Sequence, residues 1–183
     1  MHIAVVGAGG TGGYFGGLLA RAGERVTFIA RGETLTVLRA RGLTVESRAE
    51  GTVTLSVCAT DDPTSVGPVD LVLFCVKTYD TAAAAEQIRP LLGPETVVLS
   101  VQNGVDNEER LAAVLGPEPM IGGIAAVSAR SAAPGVIVVD QEPGLLRFGE
   151  LAGGTSSRTE RLLRVFERAA FAAKLDSDIR VGM

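Results

Sequence analysis

An apolar run, Ile3-Ala4-Val5-Val6, leads directly into Gly7-Ala8-Gly9-Gly10-Thr11-Gly12. Helix-compatible sequence follows from Tyr14 to Ala22, and a second apolar run, Val26-Thr27-Phe28-Ile29-Ala30, ends at Arg31. Strand, glycine-rich turn, helix and strand in that order predict a β-α-β unit. The spacing of Gly7, Gly9 and Gly12 is the G-x-G-x-x-G signature of a dinucleotide site. Glycines also punctuate ordinary turns, so the flanking elements give the signature its meaning. Gly7 permits the tight turn out of the strand. Gly9, without a Cβ, lets the backbone approach a pyrophosphate, and Gly12 lets the helix pack close to the sheet. The free N–H groups and dipole at the helix start then favour the phosphates.

Arg31 narrows the choice of dinucleotide. NAD-binding units place Asp or Glu at the end of the second strand, about 20 residues beyond the glycines, to bind the ribose 2′-hydroxyl. Arg31 stands there instead, with no acid between Val26 and Gly32. A guanidinium pairs with a 2′-phosphate that a carboxylate would repel. The reading is NADP(H) rather than NAD(H), against the competing reading of Arg31 as a solvated surface arginine.

At 183 residues the chain suffices for one sizeable domain, and its 46% hydrophobic and 21% charged content is ordinary for a soluble globular protein. A net charge of −4 leaves no nucleic-acid footprint. The two cysteines, Cys58 and Cys75, make no disulfide framework, and Cys75 reads as a buried small hydrophobe. With His2 the only histidine, neither a histidine-based metal site nor a Ser-His-Asp triad is expected. No uninterrupted apolar stretch reaches about 18 residues, and the N-terminus lacks a cationic leader region. A cytoplasmic protein with no membrane association is the expectation.

Further along, Glu33 to Arg41 reads as a short helix with Leu35 and Leu38 on one face. Leu43–Val45 and Val53–Val57 read as short strands, possible partners in a hairpin. Val69–Val76 and Thr96–Val101 are continuous apolar strands of the kind a doubly covered parallel sheet contains. Helices are predicted over Thr81–Leu92 and Asp106–Leu115, each ended by Gly-Pro. Met120–Val127, Val136–Val139 and Leu145–Phe148 read as strands without intervening helix, so antiparallel pairing is expected. Thr155 to Ala173 reads as an amphipathic helix with Leu162, Leu163, Phe166, Ala170 and Phe171 on its core face. A short segment opens after Lys174-Leu175-Asp176. One doubly wound α/β domain over residues 1–183 accommodates this order.

Ligands of open parallel sheets gather beyond the carboxyl ends of the strands. Val76 runs into Lys77-Thr78-Tyr79-Asp80, and Val101 runs into Gln102-Asn103-Gly104. Lys77 suits a cofactor phosphate or the nicotinamide end; its plainer reading is an exposed turn lysine. The Asn103 amide suits a cofactor ribose or a substrate carbonyl; its plainer reading is a turn-forming Asn-Gly.

Together, Gly7 to Gly12, Val76-Lys77-Thr78 and Gln102-Asn103-Gly104 resemble the motifs of the ketopantoate reductase (2-dehydropantoate 2-reductase) family. The region from Ile121-Gly122 to Phe148-Gly149-Glu150 is also similar, so the resemblance covers essentially the whole chain. It implies a Rossmann-type, mainly parallel sheet with additional antiparallel strands near the C-terminal part. It also implies pyrophosphate binding by Gly7, Ala8, Gly9, Gly10, Thr11 and Gly12, and 2′-phosphate binding by Arg31. Lys77 would lie along the cofactor, Asn103 where cofactor and substrate meet, and Ala129 at a backbone contact to the cofactor. The implied reaction is hydride transfer from NADPH to the C2 ketone of ketopantoate, giving pantoate for pantothenate and coenzyme A synthesis.

The family carries a second, all-helical domain whose first helix supplies the general-acid lysine and nearby asparagines for the substrate. This chain stops at Asp178-Ile179-Arg180-Val181-Gly182-Met183, and Lys174 comes too early for that role. The expectation is therefore a cofactor-binding part of a longer reductase, binding NADPH but not turning over a 2-keto acid alone. An apolar face left by the second domain would favour self-association, a homodimer being one form. Two other readings stay open: an NADP-dependent oxidoreductase acting on another 2-keto acid or an imine, and a non-catalytic NADP(H)-binding sensor module.

Overall fold

A computed structural model describes every residue except Glu50, Ala170 and Met183. The apolar runs form the middle of one ten-stranded sheet. The chain begins with β1 (His2–Val6), α1 (Gly10–Arg21), β2 (Arg25–Ile29), α2 (Gly32–Arg41), β3 (Leu43–Ser47), β4 (Gly51–Leu55) and β5 (Cys58–Thr60). It continues through β6 (Leu71–Phe74), α3 (Thr81–Gln87), β7 (Val97–Ser100), α4 (Asn107–Leu115), β8 (Met120–Ala133), β9 (Val136–Gly149), α5 (Ser157–Arg168) and β10 (Ala172–Leu175). The strand order is β4-β3-β9-β8-β7-β6-β1-β2-β5, with β10 pairing β9. From β5 through β8 every neighbouring pair is parallel, and β8 with β9 is antiparallel. This is a Rossmann-type doubly wound sheet extended by an antiparallel hairpin, as expected.

The alternation of side chains along β1 explains why its run is apolar throughout. Ile3 and Val5 point into a core shared with Phe15 and Leu19 of α1 and with Leu162 and Phe166 of α5. Ala4 and Val6 point the other way, into a core with Ala84, Ala85 and Ile88 and with Leu111 of α4. Both faces are covered, so neither tolerates a polar residue. In the first core, Tyr14–Phe15, Phe15–Phe171 and Phe148–Phe166 meet edge to face with centroids 5.0–5.1 Å apart. Such contacts add about 0.5–1.5 kcal/mol each beyond area burial.

Several expectations are corrected. The helix expected over Thr155–Ala173 ends at Arg168, and Ala172–Leu175 instead forms β10, parallel to Leu145–Phe148 of β9. Leu162 and Phe166 are buried and Leu163 half-buried; Ala170 lies outside the described residues, and Phe171 is buried beyond the helix. Alanine-rich sequence favours helix locally, but pairing this edge of β9 satisfies backbone groups a helix would leave open. The helix over Thr81–Leu92 stops at Gln87, and Arg89–Leu91 is a 3₁₀ turn. Pro90 disfavours helical backbone at Arg89 and donates no N–H.

The strands foreseen at 120–127, 136–139 and 145–148 form one long hairpin of β8 and β9, with register shifts near Ser128 and Ser131. The Leu43–Leu55 hairpin is confirmed, with β3 also parallel to β9. The edge strand β5 was not anticipated.

Candidate functional site

The strand order reverses direction at β1: the chain runs from β1 to β2 on one side and later to β6 on the other. A crevice opens beyond the carboxyl ends of these strands, the place where doubly wound sheets bind ligands. A cleft of about 520 Å³ occupies it, with Gly7, Ala8 and Gly9 on its floor and Arg31, Lys77 and Asp80 at its sides.

Backbone geometry fixes the glycine turn. Gly7 has φ +98°, and a Cβ there would lie 3.1 Å from the Cys75 carbonyl carbon and the Val76 nitrogen. Its N–H donates to the Ile29 carbonyl at 3.1 Å, tying the turn to the end of β2. A Cβ at Gly12 would overlap the Gly7 carbonyl oxygen, so the helix passes too close to the turn for any side chain. Gly9 differs: a Cβ there would meet nothing within 4 Å, since this residue faces the open cleft. It is also the N-cap of α1 and makes no side-chain cap, and the first turn contains no acid. The N–H groups that a helix start leaves without intrahelical partners thus meet an anion-compatible field.

The other candidate residues divide. Lys77 is exposed and lines the cleft. Ala129 reaches the turn from β8: its carbonyl lies where a Cβ at Gly10 would be, and Ser131 nearby lines the cleft. Thr11 is half-buried in the first turn of α1. Asn103 is exposed in the turn after β7 and is not part of the cleft wall.

Two amides hold that turn in place. The Gln102 Nε2 donates to the Val76 carbonyl at 2.8 Å and to Thr81 Oγ1 at 2.9 Å, joining the turn after β7 to the turn after β6. Asn107, 1% exposed, donates from Nδ2 to the Asn103 carbonyl at 3.1 Å. Gln102 stood in the Gln102-Asn103-Gly104 motif without a role, and Asn107 was passed over in the sequence. Their polarity beside apolar strands was the available signal.

Arg31 is 82% exposed at its side chain and pairs with Asp80, Nη2 to Oδ2 at 2.9 Å. In the sequence Asp80 stood at the end of the Lys77-Thr78-Tyr79-Asp80 segment without a role. Nearby, the Cys75 thiol donates to the Leu73 carbonyl at 3.6 Å, and burial pushes its pKa up. Cys75 is half-buried and lines the cleft, so it is less enclosed than its apolar run suggested.

A larger hollow of about 630 Å³ lies elsewhere, bordered by Glu108, Glu109, Glu118, Glu150, Arg158 and Met120 among others. Four carboxylates against two arginines make it a poor phosphate site, since Arg158 is itself held by Glu150 at 2.6 Å. Glu108 is 5% exposed, and burial first, then its neighbours Asp106 and Glu109, push its pKa up against backbone N–H contacts that lower it.

The family model described as ApbA, ketopantoate reductase PanE/ApbA, matches residues 3–153, most of the chain. The chain belongs to the ketopantoate reductase family. It is 34% identical over 179 residues to 2-dehydropantoate 2-reductase of Pyrococcus horikoshii, covering 98% of this chain and 57% of that protein. The crystal structure of 2-dehydropantoate 2-reductase from Porphyromonas gingivalis W83 superposes with a TM-score of 0.92 at 35% identity, over 98% of this chain and 65% of that one. D-mandelate dehydrogenase, solved with NADH and anilino(oxo)acetate, shares the fold at TM-score 0.89 and 22% identity, over 98% of this chain and 58% of that one. The fold alone therefore selects neither the 2-keto acid nor the nicotinamide cofactor. The chain spans little more than half the length of the curated family relative. Among the described residues, no helix is long and apolar enough to cross a membrane.

Proposed function

We propose that this chain is the NADP(H)-binding part, a single domain over residues 1–183, of a 2-dehydropantoate 2-reductase. The observation that carries the reading is the cleft at the β1–β6 switch point, with the glycine turn on its floor and Arg31 at its side. Gly7, Ala8, Gly9, Gly10, Thr11 and Gly12 hold the pyrophosphate: Gly9 leaves room for it and the α1 N–H groups meet it. Arg31 takes the 2′-phosphate in a forked contact. Lys77 lies along the cofactor, and Ala129 presents backbone to it. Asn103, whose carbonyl accepts from Asn107 outside the cleft wall, is assigned in this proposal to the place where cofactor and keto acid meet.

The bound cofactor supplies the hydride for the C2 ketone. Reducing a ketone also needs a proton donor and a pocket that excludes water. No residue of this chain is assigned the proton donor; in the proposal it belongs to the remainder of the longer enzyme. The family membership supports ketopantoate as the keto acid, and pantoate as the product.

The test is calorimetric titration of the chain with NADPH and NADH side by side, followed by an assay of NADPH oxidation with ketopantoate. The proposal expects tighter binding of NADPH and negligible turnover. Equal affinity for the two cofactors would overturn the role of Arg31, and turnover matching a complete reductase would overturn the division of labour.

A further inference from the structure

We infer that Asp80 sets the strength of cofactor discrimination, by holding the Arg31 guanidinium before a 2′-phosphate arrives. This rests on the proposed role of Arg31 and adds a second residue to it, from a separate segment of the chain. Arg31 follows β2 and caps the start of α2; Asp80 ends the 3₁₀ turn after Lys77 and precedes α3. The two residues are 49 apart in sequence, yet Arg31 Nη2 lies 2.9 Å from Asp80 Oδ2. Both line the cleft that contains Gly7 and Gly9.

Asp80 sits where its charge meets the dipole of α3, which any acid there would do. It stands at the N-cap of α3 without a side-chain cap bond. Its side chain is 31% exposed, against 82% for Arg31, so the carboxylate is the better fixed member of the pair. The neighbouring charges do not replace it. Asp61 at the cleft pairs with Arg39 at 3.6 Å, and Lys77 brings a second positive charge to the same side as Asp80.

The consequence is a competition. A 2′-phosphate must take the guanidinium from Asp80 and then sit near a carboxylate of like charge. A 2′-hydroxyl meets neither cost. Asp80 thus lowers NADPH affinity while leaving NADH nearly untouched, and it keeps an exposed arginine oriented toward the cleft.

The experiment measures dissociation constants for NADPH and NADH with the wild-type chain, Asp80→Asn, Asp80→Ser, Arg31→Ala and the Arg31→Ala/Asp80→Asn double variant, at one fixed salt concentration. Melting curves report folding, with Asp80→Ser as the second test of the same charge. The inference expects Asp80→Asn to tighten NADPH by about three- to tenfold, the range for releasing one exposed ion pair and one screened like charge. NADH should stay unchanged, and the gain should vanish in the Arg31→Ala background. An unchanged NADPH-to-NADH ratio in a wild type that prefers NADPH overturns this inference alone. Equal weakening of both cofactors overturns it too, since Asp80 would then contact a part they share. Failure of the wild type to bind either overturns the proposed function and this inference with it.

Discussion

Arg31 is a mostly solvated guanidinium whose partner is a carboxylate 2.9 Å away, so its pairing contributes little to folding. Its proposed role is in binding. Arg31→Ala should weaken NADPH by roughly 1.5–3 kcal/mol, the scale of a charged hydrogen bond, and barely change NADH. Calorimetry with both cofactors checks this, and equal losses would remove the 2′-phosphate role. Gly7 and Gly12 were legible in the sequence because the backbone itself demands them, by positive φ at Gly7 and overlap with a carbonyl at Gly12; Gly9, with open space around it, answers only to the proposed ligand. Asp80 and Gln102 were not legible. Their partners, Arg31, Val76 and Thr81, come from other elements, and no local spacing announces such contacts.

Among elements, the join between β9 and α5 is held by charge as well as packing. Glu150 accepts from Arg158 Nε at 2.8 Å and from Nη2 at 2.6 Å, and from Ser156 Oγ at 2.5 Å. Arg158 also donates to the Glu118 and Met120 carbonyls, which fixes the start of β8. The Arg158 contact holds the Glu150 pKa below the ordinary carboxylate value, against burial that raises it. A lowered folded pKa means the contribution is present at neutral pH and fades as pH falls through that lowered value.

Glu150→Gln should therefore cost about 1–2 kcal/mol near neutrality and show a shallower loss on acidification than the wild type. Urea midpoints at neutral and acid pH measure both. Glu24 and Asp176 share the wild-type acid response, so the difference between the two proteins isolates Glu150; parallel acid curves would contradict the assignment. Element by element, the buried strands were readable because both faces are covered and their sequences are mostly apolar, Thr27 and Ser100 being the buried exceptions. The end of α5 was not, because β10 owes its conformation to the edge of β9 rather than to its own propensity.

For the whole molecule, the order of strands creates the cleft and the glycine turn lines its floor. The β-α-β signature made that architecture legible from the first residues. The extension of the sheet by the β8–β9 hairpin was visible only as a run of strands without helices. Its importance for the site emerged when β8 brought Ala129 against Gly10. In the proposed function a dinucleotide lies over this turn and not in the larger acidic hollow beside Glu108. Backbone amide NMR of the 183-residue chain during titration with NADPH tests it most directly. Saturable shifts are expected, centred on Gly7, Gly9, Gly10, Thr11 and Gly12 and extending to Arg31 and Lys77. Shifts centred on Glu108, Glu109 and Arg158, with the glycine turn unmoved, would contradict it.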